Sequence, residues 1–390
     1  MKFQKNKYTS GPIIKSLISL AVPIVGANIL QTLYQLTDTF WVGRLGASAI
    51  AAVSISFPII FFLIALGGGF SIAGSILVAQ YKGKEDKETV NRVAGQTILM
   101  VLLVSLLITT LGYFISPFVV RLMGVESDVF LPAVQYLQIS FIGLISFFGF
   151  FVIQAILRGI GEVKKPFYIV LATVLLNLLL DPLFIFGYGI IPAFGVAGAA
   201  IATIGTQTIA TLFGLNMLLS GKYGINLKLS YLKPDKKIIV KMFKLGLPAS
   251  VEQSLRALGI ALMTILATFF GTNSIAAFGI GTRILSFIII PGFGLADATT
   301  TLVGQNIGAK KIYRAEKTIK FSLIISFTLL TVIGIIIFIF ADQLAGFFIL
   351  KDLEVIKSAS LFIKIMALTF GFVGAQLVIN GALLGAGETM

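Results

Sequence analysis

The sequence predicts an all-α polytopic membrane protein built from two related helical lobes. Three observations carry that prediction. First, the chain is 57% hydrophobic and 12% charged, with a mean hydropathy of +1.01, whereas soluble chains carry about 25% charge. Second, ten apolar segments are each long enough to cross the hydrocarbon core as a helix, which takes about 20 residues. Third, the chain repeats itself. Leu20-Ala-Val-Pro23 returns as Leu245-Gly-Leu-Pro248, Gly46-Ala-Ser-Ala-Ile-Ala-Ala52 as Gly271-Thr-Asn-Ser-Ile-Ala-Ala277, and Val78-Ala-Gln-Tyr-Lys-Gly83 as Val303-Gly-Gln-Asn-Ile-Gly308, each 225 residues on. Gly159-Ile-Gly-Glu162 returns as Gly385-Ala-Gly-Glu388 at 226. One residue of drift over that distance is the mark of duplication.

The ten segments run over roughly 17–42, 49–80, 93–117, 131–157, 167–188, 195–219, 239–269, 275–306, 318–341 and 355–384. The first ten residues are polar and basic, and the apolar run from Leu17 is too long for a signal-peptide core, so it reads as a retained first span. Glycine runs such as Gly67-Gly-Gly69 and Gly292-Phe-Gly294 are expected to be close-packing or kink positions. Pro58 and Pro291 are hinge candidates in spans 2 and 8.

Charge sets the orientation. Alternate loops collect 23 of the 30 cations, from Lys2, Lys5, Lys7 and Lys15 through to Lys310, Lys311, Arg314, Lys317 and Lys320. The opposite loops hold four: Arg44, Arg121, Lys351 and Lys357. The positive-inside rule places the N-terminus and the cation-rich loops in the cytoplasm. The net charge of +14 is thus a topology signal, and no nucleic-acid partner is expected. Because the first repeat has six spans, the second enters the membrane in the same sense, and a pseudo-twofold axis along the membrane normal relates the lobes. The expected organisation is a six-helix lobe over 1–221, a basic cytoplasmic linker over 222–244 and a second lobe over 245–390. The two spans that follow Gly159-Ile-Gly-Glu162 have no counterpart after Gly385-Ala-Gly-Glu388. The second lobe is therefore expected to lack its last two helices, as a fragment or as a natural truncation.

Composition also excludes chemistries. With no cysteine and no histidine, the chain has no disulfide, thiolate, sulfur metal site or imidazole proton switch. An enzyme is not expected and no cofactor is implied. Any proton chemistry falls to Asp or Glu. A charged carboxylate near mid-bilayer costs about 2.5–3.5 kcal/mol on insertion scales, so such residues are functional candidates. Asp38 ends a polar stripe with Gln31, Tyr34 and Gln35, spaced by three and four and so on one helical face. Asp181 follows Asn177 by four and precedes Pro182, which cannot donate to the Leu178 carbonyl. A helix broken there, with an acid, an amide and a free carbonyl, is a plausible cation site. Asp38, Asp181 and Thr203 all fall in the outer half of the membrane by depth along their spans, and their oxygens suit a proton with water or a hard cation such as Na⁺. The structural alternatives are an Asp181 that ends its helix at the interface, an Asp38 satisfied near Arg44, a Thr203 bonded to its own backbone and an interfacial Trp41. In the second lobe Glu252 and Arg256 are placed to pair, and Asp297 is either a second site or the neutraliser of Arg283.

Together, Leu20-Ala-Val-Pro23, Asp38-Thr-Phe-Trp-Val-Gly43, Asn177-Leu-Leu-Leu-Asp-Pro182, Gly195-Val-Ala-Gly-Ala-Ala-Ile-Ala-Thr203 and Val303-Gly-Gln-Asn-Ile-Gly308 resemble the multidrug and toxic compound extrusion (MATE) family. The pairing of Asp38 with the span 5 motif looks most like its DNA-damage-inducible branch. The resemblance implies a secondary antiporter in the cell membrane, monomeric, exporting organic cations against an inward H⁺ or Na⁺ gradient by alternating access. It implies coupling-cation residues at Asp38, Asn177, Asp181 and Thr203, with Asp38, Asn177 and Asp181 as Na⁺ ligands. It implies pocket positions at Tyr34 and Gln154, to which the reading of the residues adds Gln31, Glu252 and Asp297. The alternative is a lipid-linked oligosaccharide flippase of the same two-lobe design. Such a protein needs a cleft rich in cations, and only Arg256, Arg283 and Lys364 lie inside spans.

Overall fold

A computed structural model describes residues 6–125, 127–348 and 352–389. Lys2, Lys5 and Lys351, three of the cations in the charge asymmetry, lie outside the described residues. The described residues form helices α1 (Lys7–Ser10), α2 (Ile13–Gly43), α3 (Ala47–Gly83), α4 (Lys87–Leu122), α5 (Ser127–Gly159), α6 (Lys164–Phe186), α7 (Val196–Leu219), α8 (Lys236–Thr268), α9 (Thr272–Ile288), α10 (Ile290–Gly308), α11 (Ile312–Ile339), α12 (Ala341–Phe348), α13 (Leu353–Ala367) and α14 (Phe370–Ala386). A 3₁₀ turn at Leu229–Leu232 lies in the long basic loop, and a single bridge between Tyr188 and Ile191 closes the α6–α7 turn. Eight helices are long and apolar enough to cross a bilayer, and ten spans result if α9 with α10 and α13 with α14 each count as one. Helices dominate because lipid offers no partner for a free backbone N–H or C=O. On α4, Leu103, Leu107, Leu111, Phe114 and Phe118 are exposed along one stripe, as a lipid-facing surface requires.

The span boundaries hold to within a few residues, with three differences. Helix α6 runs unbroken through Pro182, so the expected break at that residue does not occur. Its missing N–H still leaves the Leu178 carbonyl without its helical donor, and the rest of the turn holds. Helix α3 likewise runs on through Pro58. The breaks fall instead in the second repeat: α9 and α10 meet at 41° and α13 and α14 at 52°. Pro291 sits in the first turn of α10, immediately past the first of them.

The loops show the duplication in backbone geometry. After α3, the N–H groups of Lys84, Glu85 and Asp86 donate to the carbonyls of Gln80, Lys82 and Tyr81; after α10, those of Ala309, Lys310 and Lys311 donate to Gln305, Ile307 and Asn306. Glu85 and Lys310, 225 residues apart, share a left-handed conformation at φ 62° and 58°. Gly161 and Gly387 do the same at φ 84° and 92°, in loops closed by the Glu162–Leu157 and Glu388–Leu383 backbone bonds.

The chain gathers into two compact units, Leu30–Ser254 with Thr389–Met390 and Met1–Ile29 with Leu255–Glu388. Their borders fall inside α2 and α8. In the first, α5 is central and packs on α3, α4 and α7, and α6 packs on α7. Its core includes Leu137, Phe141, Phe148, Ile153 and Leu157. Gly67 lets the Phe148 ring approach α3 where a Cβ would lie 2.4 Å from it. The loop before the second repeat is held here by Gln96, whose Nε2 donates to the Tyr231 and Lys233 carbonyls at 2.7 Å each. In the second unit, α10, α11 and α14 pack together and α9 pairs with α13. The segment before the first repeat docks there: Asn6 Nδ2 donates to Gln305 Oε1 at 2.9 Å, and Lys311 Nζ to the Thr9 carbonyl at 2.9 Å.

Candidate functional site

The unit Leu30–Ser254 encloses a cavity of about 290 Å³ between α2, α3, α5, α6 and α7. Four positions of the α2 stripe, Gln31, Tyr34, Gln35 and Asp38, line it, as their spacing on one helical face requires. Opposite, α7 presents Thr203 and Gln207, α5 presents Tyr136 and Ser140, and α3 presents Val53 and Phe57. Phe147 and Phe151 lie nearly parallel, 6.1 Å between ring centroids, and give the wall an aromatic end. Among the described residues that line the cavity, Asp38 is the sole ionisable acid, and there is no lysine or arginine.

The polar end is a chain of short contacts. Thr203 Oγ1 donates to Asp38 Oδ2 at 3.1 Å. The Tyr34 and Thr206 hydroxyls are 2.7 Å apart, and Thr206 Oγ1 donates to the Thr203 carbonyl at 2.9 Å. Behind Asp38, Asn177 and Asp181 are fully buried. They belong to the buried face of α6, which runs Val170, Thr173, Asn177, Asp181, Ile185. Asn177 Nδ2 donates to Asp181 Oδ1 at 2.8 Å. The Asp38 carboxyl is a close neighbour of Asp181 and Asn177. Among the described residues, Asp38 Oδ1, Asn177 Oδ1 and Asp181 Oδ2 have no hydrogen-bond donor. These three buried acceptor oxygens without a donor, two of them on carboxyl groups, make this end of the site electronegative.

The four expected coupling residues, Asp38, Asn177, Asp181 and Thr203, thus converge, and Gln31 and Tyr34 share their cavity. Three expected pocket residues lie apart from its walls. Gln154 sits on α5, with Nε2 buried and without a partner. Glu252 is half-buried on α8, and Asp297 is half-buried on α10 of the other unit. The alternatives for the acids also resolve. Thr203 bonds Asp38 across helices instead of its own backbone. The Arg44 guanidinium lies over the Phe40 and Trp41 rings, 4.9 and 5.5 Å from their centroids. Asp181 is inside α6 on its buried face, more than one turn before the last residue, Phe186. Lys364, counted among the cations in spans, pairs with Asp342 at 2.9 Å. Among the described residues, no three acids gather in the manner of a multi-carboxylate metal site. The sequence reading missed Tyr136, Ser140, Thr173, Thr206 and Gln207. Spacings of three and four from Thr203 and Asn177 pick out Thr206, Gln207 and Thr173, whereas Tyr136 and Ser140 lie in an apolar helix whose register against α2 no local pattern reports.

Comparison with known proteins bears on this arrangement. The family model described as MatE matches residues 23–183 and 248–390. The "Probable multidrug resistance protein YoeA" of Bacillus subtilis is 29% identical over 98% of this chain and 84% of its own length. The "Probable multidrug resistance protein NorM" of Mannheimia succiniciproducens is 30% identical over 96% of this chain and 81% of its own. Among solved structures, a "multidrug resistance MATE family transporter of the MOP superfamily" in its outward-facing conformation superposes with a TM-score of 0.91 at 26% identity, covering 99% of this chain and 85% of that one. A MOP superfamily transporter from Pyrococcus furiosus superposes with a TM-score of 0.90 at 26% identity, over 100% and 86%.

Proposed function

The chain belongs to the MatE family, and from that premise we propose that it is a cation-coupled antiporter exporting lipophilic organic cations. It works as a monomer in the cell membrane, with its N-terminus in the cytoplasm. The observation that carries the proposal is the cavity whose wall bears Asp38, backed by Asp181 and Asn177 with three buried oxygens that lack donors. Two carboxyl groups this close in a low-dielectric setting demand a cation between them. An inward-moving H⁺ or Na⁺ meets that demand. So does the charged nitrogen of an exported compound, whose apolar body rests on Phe57, Phe147 and Phe151. The two cations compete for one site, and competition under alternating access is antiport: each return of the carrier is loaded with one or the other. A membrane potential adds about 2.3 kcal/mol per charge per 100 mV to the inward leg. The amide and carboxyl oxygens suit either coupling cation.

The relatives' printed names, multidrug resistance proteins, support drugs as cargo. The wall chemistry runs against an anionic lipid-sugar cargo, because a pyrophosphate next to Asp38 with no lining lysine or arginine would be repelled. The test is transport of a fluorescent organic cation in proteoliposomes under an imposed Na⁺ gradient and, separately, an imposed pH gradient. One gradient is expected to drive movement in the wild type and fail in Asp38→Asn. Movement that ignores both gradients, or survives intact in Asp38→Asn, overturns the proposal.

A further inference from the structure

In the unit Leu30–Ser254, side chains from the last turn of α3, from the turn that follows it and from the second turn of α8 meet at Tyr81. Lys241 Nζ donates to the Tyr81 hydroxyl oxygen at 3.2 Å. Lys84 Nζ lies over the same ring, 4.9 Å from its centroid, a cation–π distance. Two ammonium groups gathered on one side chain repel each other, and a carboxylate beside them is the ordinary remedy. None is there: among the described residues, neither Lys84 nor Lys241 forms an ion pair. The acids at this end of the unit are committed elsewhere. Asp86 caps α4, Asp235 accepts from the Lys237 and Ile238 N–H groups, and Glu162 accepts from those of Lys164 and Lys165. Glu88 pairs with Arg92 at 2.7 Å. The Tyr81 hydroxyl accepts from Lys241 and keeps its own proton to donate.

The second repeat has the same turn without these side chains. After α10, Asn306, Ala309 and Ser16 stand where the first repeat has Tyr81, Lys84 and Lys241. There the donors are taken up by the chain itself. Asn306 Nδ2 donates to the Tyr8 carbonyl at 3.3 Å and Lys311 Nζ to that of Thr9 at 2.9 Å, and Arg314 donates to the carbonyls of Tyr8 and Gly11. The first unit instead presents two positive charges and a hydroxyl proton that no acceptor of the chain meets. Tyr81 stands one residue past the apolar segment 49–80, at the depth where interfacial aromatics and lipid headgroups lie. Beside Lys241, Val240, Phe243, Leu247 and Val251 form an exposed apolar stripe along α8. We propose that Tyr81, Lys84 and Lys241 bind the phosphate of an anionic phospholipid, from the leaflet on the cation-rich side, with an acyl chain along that stripe. The stripe at the foot of the donors selects a lipid over a free phosphate. A zwitterionic headgroup would bring its own cation up to the two ammonium groups, so an anionic one is preferred. The inference goes beyond the antiport reading and does not depend on it.

The chain has one tryptophan, Trp41, so Leu247→Trp in a Trp41→Phe background puts the sole indole on the stripe. In bilayers of phosphatidylcholine carrying increasing dibrominated phosphatidylglycerol or, separately, dibrominated phosphatidylcholine, quenching of that indole reports which lipid sits beside α8, without any transport assay. The binding constant of phosphatidylglycerol relative to phosphatidylcholine should be about 5, and should fall to about 1 when Lys84→Gln and Lys241→Gln are added. Lys222→Gln with Lys228→Gln removes the same charge from exposed positions of the same unit and should leave most of the preference. Val251→Trp, one turn further along the stripe, repeats the reading and should rank the lipids in the same order. A ratio of about 1 in the parent protein overturns the site. So does an equal fall in the two double variants, which would mean diffuse charge and no local site. Inorganic phosphate at constant ionic strength should leave the ratio unchanged; its loss would show a pocket for a free anion and overturn the lipid assignment.

Discussion

The unit Leu30–Ser254 carries a cavity lined by Asp38 and backed by the buried Asp181, both on unbroken helices, whereas the unit holding Leu255–Glu388 carries two helices broken near mid-span. Where the first has Asp38, the repeat places Met263 in the second, an exposed apolar side chain. The breaks themselves fall at matching heights. Ile289, between α9 and α10, repeats Ile64, and Thr369, between α13 and α14, repeats Gly143; both Ile64 and Gly143 line the cavity. One level of the duplicated fold has become a polar cavity in one unit and a pair of bends in the other, while the loops have kept even their hydrogen bonds and left-handed residues. The difference follows from the solvent. In lipid, a helix of any apolar sequence keeps its backbone satisfied, so span interiors are free to diverge. A loop between spans must turn within a few residues, and few hydrogen-bond patterns accomplish that.

If ion chemistry belongs to the first unit alone, acids in the two units respond very differently to neutralisation. Asp181→Asn keeps the volume and removes one of two facing carboxyls, so gradient-driven export should fall by about 100-fold, in the range of 2–3 kcal/mol for losing a charged partner in a buried site. Asp297→Asn in the second unit should leave at least about half the rate, since a change inside twofold is below 0.5 kcal/mol. Rates for both variants in the same proteoliposomes decide it, and equal losses would erase the asymmetry between the units.

Much of this asymmetry was open to sequence reading, for identifiable reasons. The span count, the repeat and the acid positions follow from apolar runs, a fixed offset and the cost of charge in lipid. Pro182 misled because one missing N–H does not end a helix whose neighbouring bonds hold. The first break in the second unit has a local signal in Pro291, the second residue of α10, whereas the one at Leu368–Thr369 has only Gly371 at the same place in α14, and a glycine marks a bend far more weakly than a proline. Lys241 looks like any lysine of the basic loop. Only the register of α8 against α3 brings it to the Tyr81 hydroxyl.

Packing gives a smaller contrast that cuts across the units. A Cβ at Gly69 would lie 2.3 Å from the Gly246 carbonyl oxygen, a backbone atom that cannot step aside, and one at Gly281 would lie 2.1 Å from the Phe362 ring. Gly69→Ala should cost about 1–3 kcal/mol as overpacking, and Gly281→Ala toward the lower end because a ring can shift. Gly205 and Gly279 face open space, so Ala there should be neutral or stabilise by up to about 1 kcal/mol through helix propensity. Thermal unfolding in detergent ranks the four variants. A Gly69→Ala protein as stable as Gly205→Ala would show that α3 and α8 do not approach as closely as described.

The smallest effect tests the loops, where the two repeats agree in backbone and differ in side chain. Asp86 caps α4, accepting from the Thr89 N–H at 3.0 Å and from the Thr89 hydroxyl at 2.6 Å. Its counterpart Lys311 has no capping side chain and reaches the Thr9 carbonyl instead. Asp86→Ala should therefore destabilise by about 1 kcal/mol at pH 7, the usual value of an N-cap, and the second repeat has no equivalent contribution to lose. The two Thr89 donors hold the Asp86 carboxyl below the usual carboxylate range. A folded-state pKa below the unfolded one means that the ionised cap stabilises above the unfolded value and that this increment disappears as pH falls through the folded value. The difference in Tm between wild type and Asp86→Ala should accordingly be largest near neutrality and shrink on acidification, with the carboxyl still able to accept weakly once protonated. A difference independent of pH would mean that geometry alone holds this turn, as it already does around Lys311.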